Sequence, residues 1–201
     1  MKKLIATLVI ALFLGLPGIC AANPAVEAML AKVAKDIDAS PKGSADLKAF
    51  TKTTLIPLCV TKELVDAAKA SNAKGLSLAD IQKIDEEWQE AEEELPIMEE
   101  LLTNDCGKAL QALANRTPAM AKGFAFDNQG ATVGSHRTPN DYWQGDEGKY
   151  KHTVKEQSIE VGPVKFDKAE NTQLQHVALP LIDGDGTVVG GVLVGVFLDK
   201  L

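Results

Sequence analysis

Leu174-Gln175-His176-Val177-Ala178-Leu179-Pro180-Leu181-Ile182, the turn Asp183-Gly184-Asp185-Gly186, then Val188-Val189-Gly190-Gly191-Val192-Leu193-Val194-Gly195-Val196-Phe197-Leu198 describe a long β hairpin. The second arm places Val192, Val194 and Val196 on one face, the period of two that a strand requires. Asp-Gly pairs supply the left-handed backbone of a tight hairpin turn. The turn is not a calcium loop: an EF-hand begun at Asp183 puts Val188 where glycine is needed and Val194 at the bidentate glutamate position.

Upstream, Phe124 and Phe126 alternate before Asp127-Asn128-Gln129-Gly130, and Ala131-Thr132-Val133 resumes an extended run, which makes a first hairpin. Ser158 to Phe166 offers a further strand, with Gly162-Pro163 marking an edge or bulge. Residues 23–118 read differently. Val26, Met29, Leu30, Val33 and Ile37 share one helical face behind Pro24. Thr61 opens a helix that Gly75 ends, and Ser77 with Asp80 three residues later forms a capping box for another. Leu78, Ile81, Ile84, Trp88 and Ala91 make its apolar stripe, opposite Glu86, Glu87, Glu90, Glu93 and Glu94, a solvated face. Helices gathered first and an antiparallel sheet over 119–201 predict an α+β chain in which both regions form one compact unit.

Residues 1–22 read as a signal peptide: Lys2 and Lys3, an apolar stretch from Leu4 to Leu16, and small residues at Cys20-Ala21-Ala22. Its ~13 apolar residues are too few for a span, which needs roughly 20, so a periplasmic or secreted protein is expected. Removing two of the 21 basic residues against 28 acidic ones leaves a net charge of about −9, unfavourable for nucleic acid. In an oxidising compartment Cys59 and Cys106 are expected to form a disulfide between helical segments, with separate burial of the two thiols as the alternative.

The candidate site lies in Arg137-Thr138-Pro139-Asn140-Asp141-Tyr142-Trp143-Gln144-Gly145-Asp146-Glu147. Aromatic faces beside convergent polar groups are what small-molecule pockets are built from. Tyr142 and Trp143 would form apolar walls, Arg137 suits a carboxylate, Asp146 an ammonium or hydroxyl, and His176 joins them if it faces inward. A segment folded across the sheet would roof such a pocket. No serine has a nucleophile-elbow context and His136, His152 and His176 lack metal-site spacing, so neither enzyme chemistry nor a metal or other cofactor is expected.

Phe126 to Gly130, Asp141 to Glu147, Val177 to Leu181, Asp185-Gly186 and Val189 to Val196 together resemble the extracytoplasmic PDC sensor, or Cache, family, over about residues 120–201. The resemblance implies a PAS-like antiparallel sheet packed by N-terminal helices that senses a small carboxylate or amino-acid-like ligand. Typical members continue into an output region; this chain stops at Leu201, so the expectation is a stand-alone sensor read by a separate partner such as a membrane receptor. The competing expectations are a structural or protein-interaction module whose pocket its own side chains fill, and an exported hydrolase using Asp141, Asp146 or Glu147.

Overall fold

The computed structural model describes residues 23–167 and 172–201, so the signal-peptide reading of residues 1–22 lies outside the described residues. Five antiparallel strands form one sheet in the order β2-β1-β5-β4-β3: β1 Met120–Asp127, β2 Thr132–Ser135, β3 Glu160–Asp167, β4 Thr172–Ile182 and β5 Val188–Phe197. The two hairpins expected from the sequence are β1-β2 and β4-β5. What joins them is the pairing of β1 with β5, in which Phe124 faces Leu193 and Phe126 faces Gly191. β3 is an edge strand whose register shifts between Val161 and Val164, across Gly162-Pro163. A proline cannot donate to a ladder, so the bulge sits where one is tolerated.

Among the described residues six α-helices precede the sheet: α1 Pro24–Ala39, α2 Ala45–Phe50, α3 Lys62–Lys74, α4 Leu78–Glu90, α5 Pro96–Thr103 and α6 Asp105–Arg116. Sequence chemistry fixes their ends. The Ser77 hydroxyl accepts the Asp80 amide while the Asp80 carboxylate takes the Ser77 amide, and Gly75 closes α3 at φ 64°. The stretch after Ser40-Pro41-Lys42-Gly43-Ser44 carries α2 and then a widened turn and a tight turn over 51–60. Pro57 lacks the amide an α-helix would use there.

Alternation divides the sheet into two faces. Val177, Leu179 and Leu181 of β4 with Val192, Val194 and Val196 of β5 form the main core with Val33, Ile37, Leu64, Leu110 and Leu113 from the helices. Each side chain so buried contributes ~1.5–3 kcal/mol against its exposed state. Phe124, Phe126, Ala178 and Leu193 point to the opposite face, where Tyr150 and Val154 cover them from α7 Gly148–Tyr150 and the turn Lys151–Lys155. Gly191 permits this cover: a Cβ there would meet the Phe126 ring at 2.5 Å and the Thr153 hydroxyl at 2.7 Å.

The expected disulfide is not formed. Cys59 and Cys106 are free, separately buried thiols. Cys106 packs on β2, where a Cβ at Gly134 would lie 2.5 Å from its sulfur, whereas the turn carrying Cys59 packs on β4. Those strands are three spacings apart, ~14 Å, far beyond the roughly 5.5 Å between the Cα atoms of a bonded pair. Burial pushes both thiols up to about 12, which keeps them protonated and unreactive.

Candidate functional site

The aromatic stretch does not cross the sheet. It runs antiparallel beside β2, bridging Ala131 to Trp143, with the Thr132 amide donating to the Tyr142 carbonyl at 3.0 Å and the Gln144 amide to the Gly130 carbonyl at 2.8 Å. Asp85 of α4 holds it there. One of its carboxylate oxygens accepts the backbone amides of both Tyr142 and Trp143, each at 2.8 Å, and the other accepts the Gln89 side-chain amide at 2.6 Å. Trp88, one turn further on, donates its indole N–H to the Pro139 carbonyl at 3.2 Å and lies 5.9 Å, centroid to centroid, from the Tyr142 ring. Tyr142 and Trp143 therefore belong to a second small core with Ile81, Met98 and Leu101. The Trp143 indole donates to the Gln129 carbonyl at 2.9 Å and covers Gly145 so closely that a Cβ there would fall within 2.4 Å of the ring.

The predicted site residues are thus dispersed. Arg137 is exposed in the loop after β2, and Asp146 is exposed in the turn before α7. Tyr142 is 5% exposed and lines a groove between α3 and α5–α6, on the helical side. His176 alone sits on the opposite sheet face.

Around His176 a different constellation gathers, one that the sequence reading missed. Lys122 on β1 and His176 on β4 flank Gly195 of β5: a Cβ on Gly195 would lie 2.9 Å from Lys122 Cγ and 3.4 Å from His176 Cδ2. Gly162 of β3 lies beside His176, where a Cβ would come 3.5 Å from the His176 Cβ and 3.6 Å from its carbonyl oxygen. Lys165, paired with Leu174, joins the same face, and Lys149 of α7 sits over the Phe124 ring at 5.2 Å while ion-paired to Glu147 at 2.6 Å. The His176 imidazole is held down at about 4, first by burial and then by Lys122, Lys165 and Lys149. Its Nε2 is buried without a hydrogen-bond partner. Glu160, opposite Ala178, brings a carboxylate to the edge of this face beside Gly148.

Parity along the strands was the signal available for this cluster. Lys122 shares the parity of Phe124 and Phe126, as His176 shares that of Leu174 and Ala178. Among the described residues no group of three or more His, Cys, Asp or Glu side chains is placed to hold a metal ion.

No family model matches the chain, and no curated protein is similar enough to count as a relative. Similar solved structures are sensor domains of histidine kinases and chemoreceptors. The sensor domain of the Vibrio cholerae histidine kinase DctB is 16% identical, with a TM-score of 0.44 over 87% of this chain and 58% of that one. The ligand-binding domain of the Pseudomonas aeruginosa amino acid chemoreceptor PctC, in complex with GABA, is 13% identical, with a TM-score of 0.38 over 68% and 58%. The sensory domain of a Campylobacter jejuni chemoreceptor with isoleucine bound is 12% identical, with a TM-score of 0.34 over 86% and 61%. The chain spans about three fifths of the length of each of these three. No helix among the described residues is long and apolar enough to cross a membrane.

Proposed function

We propose that this chain is an extracytoplasmic sensory module that binds a small carboxylate or amino-acid-like molecule on the sheet face around His176, and that a separate partner reads the bound state. One observation carries the reading: a buried imidazole nitrogen without a hydrogen-bond partner lies beside Gly195, on a face where Lys122, Lys165 and Lys149, from three different elements, all act on it electrostatically. A positive potential around a neutral, buried imidazole favours an anion as its guest. A neutral imidazole offers its N–H to a carboxylate oxygen, and Lys122 and Lys165 supply charge-assisted donors. Glu160 at the rim suits the ammonium of an amino acid. Arg137 and Asp146 stand on the loops bordering β2 and α7 and would reach such a ligand only if those loops close over it.

The signal would pass through the cover. Lys149 faces the cluster from α7, the Lys151–Lys155 turn follows directly, and the Ser158 hydroxyl donates to Asp36 of α1 at 2.8 Å. A ligand that draws Lys149 toward the sheet favours one position of the cover over another, and α1 is the element through which a partner would sense it. The packing of Tyr142 and Trp143 favours a second reading for their own segment, a structural strip that anchors α4.

Calorimetric titration with short mono- and dicarboxylates and with amino acids, using neutral alcohols as controls, tests the proposal. Saturable binding of a carboxylate, weakened at least tenfold by Lys122→Gln and by His176→Gln with folding intact, is expected. Silence across the panel, or binding indifferent to both substitutions, refutes it.

A further inference from the structure

The helical side of the molecule carries a cavity that the sheet-face site does not use. α3, the α5–α6 corner and the start of β2 border a solvent-open groove of about 480 Å³, lined in its buried part by Tyr142 and Leu101. That volume lies within the range of small-molecule sites. Tyr142 is 5% exposed and its ring is packed against Trp88. Its hydroxyl is not among the buried unpartnered atoms, so the tip of this otherwise buried side chain reaches the groove that Tyr142 lines and can bond a guest there.

The walls set the sign of that guest. Glu63 and Asp66 on α3, Glu100 on α5 and Asp105 at the start of α6 face the cavity, against Lys62 and Lys74. Lys62 is already engaged by Asp66 in an i,i+4 pair, which leaves three carboxylates facing one remaining ammonium. The negative field reaches the buried groups. Beyond the effect of burial, Glu100 and Asp127 raise the Tyr142 phenol and Glu63 raises the Cys106 thiol. The phenol therefore remains protonated and neutral, with lone pairs to accept from an N–H donor. An anion would meet like charge on three sides, and an uncharged ligand would leave the carboxylates unmatched.

We propose that this groove is a second binding site, taking a small primary diamine or polyamine whose ammonium groups bond to the Tyr142 hydroxyl and to the carboxylates of Glu100, Glu63 and Asp105. The methylene chain between the ammonium groups fits the apolar part of the lining, Ala67, Ala70, Ile97 and Leu101. This site is independent of the carboxylate site, because the sheet separates Tyr142 from His176.

Isothermal titration of the folded chain with 1,4-diaminobutane and with spermidine, beside butane-1,4-diol at matched ionic strength, tests the inference. Saturable binding of the amines but not the diol is expected. Tyr142→Phe, which keeps the ring and its packing, should weaken binding about tenfold, and Glu100→Gln combined with Asp105→Asn should abolish it. His176→Gln should leave it unchanged, so failure of the carboxylate reading and failure of this one are told apart. Absence of saturable amine binding overturns the proposal. So does binding that the Tyr142 and Glu100 substitutions leave untouched, since that marks diffuse attraction to an acidic surface.

Discussion

Asp85→Ala should cost the fold about 3 kcal/mol, because it strands two backbone amides that no other acceptor serves. The Asp85 carboxylate receives the Tyr142 amide, which is buried, and the Trp143 amide, which is partly buried, each at 2.8 Å. Hydrogen bonds to a charged acceptor contribute ~1.5–3 kcal/mol apiece, and a buried donor left without a partner costs ~1–3 kcal/mol. Two bonds at the lower end of the first range sum to ~3 kcal/mol, with the Trp143 amide able to recover part of its loss from water. Asp85→Asn keeps an acceptor oxygen in the same place and loses only charge assistance, so it should cost about 1 kcal/mol. Urea denaturation gives both numbers from the shift in midpoint at unchanged slope. Native-state hydrogen exchange supplies the local readout: the Tyr142 and Trp143 amides should lose protection in Asp85→Ala while amides of β4 and β5 fall only by the global change. Equal costs for Ala and Asn, or retained protection at Tyr142, would refute the claim that this carboxylate anchors the aromatic strip.

Three further outcomes are expected. His176, neutral in the fold with its imidazole held at about 4 against an ordinary 6.5, disfavours protonation of the native state. Stability should therefore be intact above pH 6.5 and decline as pH falls toward 4, by ~2 kcal/mol after allowance for partial solvation, and comparison of pH-dependent denaturation with His176→Gln should show that slope removed. Gly134→Ala drives a methyl to within 2.5 Å of the Cys106 sulfur and 3.0 Å of the Gly107 nitrogen, and calorimetry should record a loss of about 2 kcal/mol. A soluble thiol reagent followed by peptide mapping should leave Cys59 and Cys106 unlabelled in the native protein and label both in denaturant, and a reductant should not move the melting temperature.

The hairpins, the edge bulge, the Ser77 capping box and the glycine stop at Gly75 were legible because each is local: a turn residue, a period of two, a side chain reaching three positions along. The pairing of β1 with β5 was not, since no residue in either strand specifies a partner more than 60 positions away. Register across such distances is decided by which apolar face the helices can cover, a property of the assembled layers. The same limit applies to Cys59 and Cys106. Compartment chemistry argued for a bond, but only the strand order reveals that their segments pack on β4 and β2.

The aromatic stretch shows how a local signal can mislead. Asp141 to Glu147 concentrates rings and charges as a pocket would, yet the deciding residue lies elsewhere, at position 85. Asp85 follows Ile81 by four and precedes Trp88 by three, so helical spacing places it on the apolar stripe of α4, where a carboxylate is tolerated only with buried donors to receive. The spacing alone demanded partners for it, and the Tyr142 and Trp143 amides are those partners. Once the backbone of the strip is committed to α4, its rings are fixed on the helical side, and Tyr142 can face only the groove beside α3. Under the proposed reading the ligand-facing role expected of the strip falls to the opposite face, where strand parity places Lys122, Lys165 and His176 together without any sequence motif to announce them. On that reading a carboxylate would meet the unpartnered His176 nitrogen on that face, much as two peptide amides meet Asp85.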